Sequence, residues 1–591
     1  MSDAPNVNVP ENLPANVPGN PGAPKSMDAI MALCKRRGFI FQASDIYGGI
    51  NGFWDYGPLG AQMKKNLREA WWQDMILNPC WGRKGPASAG KEPERVRCVP
   101  VETRIIQHPK VWEASGHVGG FNDPMVDDKE TKGRFRADHL IGVYTREQSH
   151  ASTNAETYYD IVDAALADQL LPVRTFVGNV GEVYDQLSSD AKNKLLKPLR
   201  FVGGSGADRP KIAAWGMTLF DDQHKKELAA VVVAVPMAAL KARFATMPSP
   251  FSGKSGHLTE PRQFNLMFST YIGATATEDD KAYLRPETAQ GIFVQFKNVV
   301  DSTRVKIPFG IGNTGTSFRN EVTPRNYIFR SREFEQAELE FFCHPDDSMA
   351  WYQFWRDYRM EWWQSIGLAG DNLILREHAK DELSHYSIGT SDVEYRFPFT
   401  APGFGELEGI AHRGNYDLTQ HQKHSGAKLE YFDQERGDLL PNGSRRGEKY
   451  LPHCIEPAAG LDRGVLALLC EAYTVDASRP SPELMKFHPR IAPIKAAVFP
   501  LVNKDGMPEV AEKLYDELFA KFGRTGFIET DAKQSIGKRY ARMDEAGCPF
   551  CITIDGDTLT NQTVTLRDRD SGQQERVSLD KVGGLLGEKL G

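Results

Sequence analysis

Residues 318–342 read FRNEVTPRNYIFRSREFEQAELEFF. The run alternates with a two-residue period on either side of Thr323-Pro324-Arg325-Asn326, which predicts a strand, a turn and a return strand. Read this way, Arg319 and Glu321 share one face of the first strand, and Arg330, Arg332, Phe334, Gln336, Glu338 and Glu340 share one face of its partner. For an arbitrary charged strand, a solvated face laced with salt bridges would be the commoner arrangement. Here the opposite face of both strands is apolar and the turn adds Arg325, so the polar face is expected to surround a charged planar ligand. Arginines can clamp a polyphosphate bidentately while Phe334 stacks on a base.

Upstream, Gly310-Ile311-Gly312-Asn313-Thr314-Gly315 matches G-x-G-x-x-G. A dinucleotide fold needs a helix to begin at the third glycine, whereas the residues that follow alternate like a strand and meet Pro324. Gly253-Lys254-Ser255 resembles the end of a phosphate-binding loop, but Pro248 stands where that loop needs glycine. Both matches fail on context.

Working outward, residues 263–342 as a whole alternate and are punctuated by Gly and Pro, which predicts antiparallel strands; 347–366 is helical in period and 393–410 strand-like. After Arg479-Pro480-Ser481-Pro482 the order is strand 496–502, helix 508–522, strand 527–530, helix 533–545, strand 550–554, a hairpin around Asp570-Ser571-Gly572 and a last helix near Leu579. That alternation predicts an α/β domain of about 100 residues. Toward the N-terminus, helices are expected from Ser26 and over 59–75, the second after the turn Asp55-Tyr56-Gly57-Pro58. Residues 150–255 turn Ala- and Leu-rich with helical periodicity over 159–171 and 181–196, and read as an insertion. Residues 1–25 hold six prolines and almost no large apolar side chain, so a disordered tail is expected.

At roughly 100–200 residues per domain, 591 residues allow three to five domains. Hydrophobic residues at 40% and charged residues at 25% describe an ordinary globular chain and exclude collagen, coiled coil or global disorder. A formal charge of −7 excludes nucleic-acid binding driven by global charge, so any such contact must use local basic patches. The longest apolar run, 228–240, is too short for a membrane helix and is interrupted by Pro236. The first residues show no secretory signal, and the eight cysteines are dilute and irregularly spaced, so reduced thiols in a cytoplasmic protein are expected. Only Cys548-Pro-Phe-Cys551 has metal or redox spacing, and without a second ligand pair nearby it reads as two buried small hydrophobes.

The 318–342 segment resembles motif 2 of the class II aminoacyl-tRNA synthetases, and the surrounding sequence resembles the dimeric glycyl-tRNA synthetases. The matching stretches are 45–50 with 55–60, 115–118 with 121–126, 136–138, 258–268, 285–291, 406–413 and 456–463, in family order over nearly everything except the tail and the insertion. The resemblance implies a mixed α/β (α+β) protein. An antiparallel catalytic sheet flanked by helices would span 26–485, interrupted by an inserted helical region at about 150–255, with an α/β anticodon-binding domain at 490–591.

Activation of an amino acid is an in-line attack of its carboxylate on the α-phosphate of ATP, so charge neutralisation and positioning carry the catalysis. The resemblance implies that Arg319 and Arg463 are catalytic. It places ATP against Arg319, Asn320, Glu321, Phe329, Arg330, Ser331, Arg332, Glu333, Phe334, Glu406, Leu407, Gly460, Leu461, Asp462 and Arg463, with Glu406 near Mg²⁺. It places glycine against Arg136, Glu287, Phe334, Glu335, Gln336, Ala337, Glu338, Arg413, Glu456, Pro457, Ala458, Ala459 and Gly460, with Glu338 and Glu456 on the amine. Lys533, Lys538, Arg539, Arg542, Arg567, Arg569 and Arg576 become candidates for the anticodon.

Three positions depart from the family pattern. Ala458 replaces the usual serine, Phe404 stands where tryptophan is common, and the insertion lacks the C-x-x-C pairs of some relatives, so zinc is not implied. A catalytically silent relative that only binds nucleic acid is the alternative of another class. Retention of Arg319, Glu321, Phe334, Glu338, Glu406, Glu456 and Arg463 opposes it. The resemblance therefore implies an ATP-dependent ligase for glycine and its tRNA, acting as a homodimer.

Overall fold

A computed structural model of the chain describes residues 26–87, 92–137, 140–148, 174–177, 201–202, 212–221, 226–236, 244–274, 276–380, 382–384, 387–400, 403–441 and 443–590. The expected tail and the two helical stretches of the insertion lie outside them. The described residues form two units, one from Met1–Ser115, Thr270–Phe318 and Arg325–Gly591, the other from Gly116–Ser269 with Arg319–Pro324.

The first unit is built on a seven-stranded sheet: β1 (Cys98–Pro100), β2 (Phe309–Phe318), β3 (Glu333–Cys343), β4 (Leu373–Glu377), β5 (Gly389–Tyr395), β6 (Gly405–Gly414) and β7 (His453–Gly460). Their spatial order is β4-β5-β6-β7-β3-β2-β1, antiparallel throughout except for the parallel edge pair β2/β1. The G-x-G-x-x-G match lies inside β2. A Cβ on Gly312 would stand 2.4 Å from Ile76 and one on Gly315 2.0 Å from the Arg285 guanidinium, so these glycines allow close packing and cradle no phosphate.

One face of the sheet packs against helices α1 (Pro58–Trp72), α3 (Ser348–Ser365) and α4 (Leu461–Ala472); α2 (Ala289–Thr303) lies on the other. Leu67, Trp71, Trp355, Trp362, Val465 and Leu469 pack against Leu339 and Phe341 of β3. Arg359 and Glu408 are fully buried in this core and bond bidentately at 2.7 and 2.9 Å, with Trp363 Nε1 donating to the same carboxylate at 2.5 Å. On the α2 side, Ile292, Phe293, Phe296 and Val299 cover Phe309, Ile311 and Phe342. Helix α2 corrects the expectation of continuous strands over 263–342. Its Val and Phe content favours strands, yet its apolar residues recur at helical spacing and tertiary burial decides the outcome.

The expected strand 393–410 is two strands, β5 and β6, separated by residues 396–404 with Pro398 and Pro402.

The C-terminal segment carries β8 (Ile494–Pro500), α5 (Met507–Phe522), β9 (Phe527–Thr530), α6 (Ile536–Ala546), β10 (Phe550–Ile554), β11 (Thr563–Asp568), β12 (Gln574–Ser578) and α7 (Val582–Leu590). The strand order is β9-β8-β10-β11-β12, parallel for the first three and antiparallel after. Its core of Val498, Leu514, Leu518, Ile552, Val564 and Leu586 is its own. It docks on the N-terminal helix Met27–Arg37 through Arg36 and Arg37 to Glu545, at 3.2 and 2.6 Å, and on α1 through Asn66 to the carbonyls of Ile491 and Ala492.

The second unit contains a three-stranded sheet of Arg262–Asn265, Asn122–Asp127 and Arg134–Arg136, and a five-stranded sheet ordered Arg174–Val177, Leu140–Gln148, Lys226–Pro236, Ile212–Asp221 and Phe201–Val202. Among the described residues the insertion at 150–255 carries the strands Arg174–Val177, Phe201–Val202, Ile212–Asp221 and Lys226–Pro236 and a 3-10 turn at Phe244–Thr246, while the stretches 159–171 and 181–196 read as helical lie outside the described residues. Its Val- and Ala-rich run 226–236 pairs on both sides as a central strand, and Pro236 falls at the strand's last position. No helix of the described residues is long and apolar enough to cross a membrane.

Candidate active site

Strand alternation on β3 places Gln336, Glu338 and Glu340 on the α2 side, and Glu335, Ala337 and Leu339 on the helical core side. In register, Glu338 lies beside Ala458 of β7, which lies beside Gly409 of β6; Ala411 pairs with Glu456. Glu338 and Glu456 thus share one face on adjacent strands, and both are buried. Glu338 accepts the Thr288 backbone N–H at 3.0 Å, the Thr288 hydroxyl at 2.5 Å and the Gln336 amide at 2.7 Å. Glu456 accepts Arg413 Nη1 at 2.8 Å, while Arg413 Nε and Nη2 bond both oxygens of Asp417 at 2.8 and 2.9 Å. Glu287 accepts from Gln290 at 3.0 Å, and Gln290 also reaches Asp417 at 2.9 Å. Burial pushes the Glu456 carboxyl up, and Arg413 opposes that shift. Asn313 Oδ1 and Gln336 Oε1, which flank Glu338, are buried acceptors without a partner among the described residues. The face is acidic, lined with acceptors and suited to a small cation.

Toward the β4 edge, one irregularity decides which carboxylate reaches that face. Val393 pairs with Glu408 and Glu394 with Glu406, so Leu407 is the extra residue of a β-bulge. Without the bulge, Glu406 and Glu408 would share a face. With it, Glu408 enters the core to meet Arg359, and Glu406 lies beside Gly409 and Asp392: a Cβ on Gly409 would be 4.0 Å from Glu406 Oε1 and 3.7 Å from Asp392 Oδ1. Arg463, in the first turn of α4, sits 3.1 Å from the Glu406 carboxylate and donates to the carbonyls of Glu406 and Phe329, its guanidinium 4.5 Å above the Phe329 ring. Oxygen donors of this kind, one half-exposed carboxylate with room for phosphate oxygens, fit Mg²⁺.

The segment between β2 and β3 differs from the expected hairpin. β2 ends at Phe318 and β3 starts at Glu333, so Arg330 and Arg332 lie in the connection and do not share the strand face of Glu338. Pro324 and left-handed backbone at Asn326 and Tyr327 (φ 60° and 61°) end the ladder early. Arg332 instead donates to Asn51 O at 2.7 Å, and Ser331 to Glu333 O at 3.0 Å. Phe334 and Glu333 border a cavity of about 300 Å³ that Trp54, Tyr56, Lys64 and Asp462 also line. Asp462 and Glu335 brace its wall: Tyr56 and Lys64 donate to Asp462, and Arg68 grips both oxygens of Glu335. Glu335, Ala337, Pro457 and Ala459 lie on the face away from Glu338, so on the face of Glu338 they offer backbone only; Leu461 is buried in the core.

Arg319, Asn320, Glu321 and Arg136 belong to the second unit. There the Arg319 guanidinium lies 5.4 Å from the Phe121 ring centre, Asn320 N–H bonds Leu266 O at 2.7 Å, and Arg136 pairs with Asp123 at 3.1 Å. Of the residues that surround the site, Glu340 keeps the place that strand alternation gives it on the face of Glu338 and Thr288 falls within the stretch 285–291, whereas Asp392 and Asp417 are not among the residues singled out from the sequence. Of these two, Asp417, four residues after Arg413 across a strand end, leaves a sequence signal.

A model of the anticodon binding domain matches residues 495–589. A glycine-tRNA ligase of Rhodopirellula baltica is 46% identical over 579 residues, covering 94% of this chain and 98% of the relative. The glycine-tRNA ligases of Staphylococcus epidermidis and Staphylococcus aureus are 41% and 40% identical, each over 96% of this chain and 99% of the relative. The chain belongs to the glycine-tRNA ligase family. Within this ligase, three of the basic residues assigned to the anticodon are structural. Arg539 is buried and donates to the carbonyls of Pro500, Leu501 and Asp531; Arg567 pairs bidentately with Asp544; Arg569 holds the carbonyls of Gly547 and Phe487. Arg542 and Arg576 pair with Asp531 and Asp555, whereas Lys533 and Lys538 are exposed. A basic residue's partner is a tertiary matter that spacing does not reveal. All eight cysteines are buried, Cys548 and Cys551 among them.

Ala458 lies directly beside Glu338, so the position at which the family resemblance leads to an expected serine is on the face that carries Glu338 and Glu456. A neutral hydroxyl contact contributes about 0.5–1.5 kcal/mol. Ala458→Ser is therefore expected to change the glycine KM only several-fold in pyrophosphate exchange.

Proposed function

We propose a division of labour among the side chains of this glycine-tRNA ligase. The enzyme joins glycine to ATP, releasing diphosphate, and passes the glycyl group to its tRNA, releasing AMP. Glu338 and Glu456 bind the ammonium group of glycine, with Glu287 and Arg413 setting their charge. The observation that carries this is the pair of buried carboxylates on one face of the adjacent strands β3 and β7, with Ala458 directly beside Glu338 and Gly409 beyond it. Glycine offers little else to grip, so selectivity has to come from its ammonium and from exclusion of a β-carbon.

The glycine carboxylate attacks the α-phosphate in line; the new O–P bond forms as the bond to diphosphate breaks. Arg319 and Arg463 hold the charge that develops, Arg463 aided by the N-terminal amides of α4. Phe334 and Phe329 flank the base and Arg330 and Arg332 the nucleotide. Glu406 would hold Mg²⁺ together with phosphate oxygens. When bound, the ion neutralises charge on the leaving diphosphate. Lys533 and Lys538 contact the tRNA anticodon arm, and the protein acts in the cytoplasm.

Charge-assisted bonds contribute about 1.5–3 kcal/mol each. Glu338→Gln is accordingly expected to raise the glycine KM about 10- to 100-fold in pyrophosphate exchange while leaving the ATP KM within about twofold. An unchanged glycine KM would remove the amine-site assignment. The region 115–126 resembles the motif that builds the class II interface, and a homodimer is expected. Light scattering that shows a fully active monomer at micromolar concentration would rule that out.

A further inference from the structure

The amine pocket contains a third carboxylate that the roles above do not use. Glu340 follows Glu338 on the same face of β3, opposite Ile311 of β2, and is fully buried. One carboxylate oxygen from each of Glu338, Glu340 and Glu456 lies within 4.8 Å of the other two. Their supply of donors is unequal. Glu338 takes a backbone N–H, a hydroxyl and an amide; Glu456 takes a guanidinium. Glu340 Oε2 takes only the Cys454 thiol, at 2.8 Å, and Oε1 is buried with no partner among the described residues.

The charged and titratable groups that face Glu340 are Glu456 and Cys454 of β7, Arg413 of β6 and Glu338 of its own strand. Arg413 gives two of its nitrogens to Asp417. Three adjacent buried anions repel each other, with Arg413 bonded to Glu456 and Arg285 acting on Glu338, and the proton that relieves them settles where the anion is least stabilised. That place is Glu340 Oε1.

We propose that Glu340 is a positioning residue that holds a proton on Oε1 and donates it to the carboxylate of Glu456, aiming the remaining lone pairs of Glu456 at the ammonium group of glycine. The inference rests on Glu338 and Glu456 being the amine site. Because Oε1 is closed to solvent, Glu340 acts through Glu456 and does not touch the substrate. Burial, and after it the charge of Glu456, holds the Glu340 carboxyl well above the usual carboxylate range, against the pull of Arg413 and Cys454. The pocket then presents two anions to one ammonium, with the third group serving as a neutral donor.

The test measures glycine and ATP KM by pyrophosphate exchange, across the neutral pH range, in the full-length enzyme and three variants. Glu340→Gln stays neutral and keeps an N–H donor. Its glycine KM should remain within about threefold, with an unaltered pH profile. Glu340→Leu removes the donor and should raise the glycine KM about tenfold with kcat and ATP KM nearly unchanged. Glu338→Gln is the reference for a lost anion. A glycine KM in Glu340→Gln raised as far as in Glu338→Gln would mean that Glu340 is needed as an anion, and an unaltered KM in Glu340→Leu would remove the positioning role; either overturns the proposal. If Glu338→Gln itself leaves the glycine KM unaltered, the amine-site reading fails instead. Should Glu340→Leu not fold, difference infrared spectroscopy of unsubstituted enzyme against Glu340→Gln decides. A protonated-carboxyl band lost in the variant supports the proposal, and its absence from the unsubstituted enzyme contradicts it.

Discussion

Arg319→Ala is expected to slow glycine-dependent pyrophosphate exchange by about 10²–10³, a loss of about 3–4 kcal/mol of transition-state stabilisation. Arg319 is the first residue after β2, and its guanidinium stands over the Phe121 ring in the second unit. A cation fixed before substrate arrives does not have to be reorganised as negative charge builds on the α-phosphate, which is why its removal should appear in kcat rather than in either KM. Arg319→Lys should recover only part of the loss, because an ammonium cannot grip carboxylate and phosphate with a planar fork. Exchange kinetics near the unsubstituted rate in Arg319→Ala would remove it from the chemistry.

Glu408→Leu is expected to destabilise the seven-stranded-sheet core by about 3–5 kcal/mol, because Arg359 would remain fully buried without its counter-ion. The Trp363 indole N–H would lose its acceptor as well. The double variant Arg359→Met with Glu408→Leu should regain most of the loss, since apolar groups of similar volume need no partner. Urea unfolding followed by tryptophan fluorescence is suited to the comparison, as Trp362 and Trp363 surround the pair. Equal midpoints for the single variant and the unsubstituted protein would show that the pair does not hold the core. Because Leu407 forms the bulge between this core and Glu406, the same substitution should also weaken ATP-Mg²⁺ use in whatever fraction remains folded.

The order of strands and helices after residue 490 was legible, apart from the short helix Gly556–Asn561 between β10 and β11, because each longer segment there carries one period and a clear stop, and the bounds of the expected elements differ by only a few residues. Helix α2 was not, because a helix rich in Val and Phe has the composition of a buried strand and only its covered face tells the two apart. In the segment 318–342 the alternation that put Glu338 and Glu340 on one face was sound. It was extended too far toward Arg330, since a left-handed Asn326 and Tyr327 cannot be read from their letters. The face occupied by Glu406 depended on one extra residue at Leu407, and strand period alone would have placed it with Glu408 in the core. Arg539, Arg567 and Arg569 show the converse error, a positive charge read as a surface when carbonyls and Asp544 enclose it.

The most direct measurement of the central claim is a crystal structure of the enzyme with a non-hydrolysable glycyl-adenylate analogue. The account predicts the analogue's ammonium nitrogen about 2.7–3.2 Å from carboxylate oxygens of both Glu338 and Glu456, with its α-carbon beside Ala458. An ammonium bound on the opposite face of β3, toward Glu335 and Arg68, or held by neither glutamate, would contradict it.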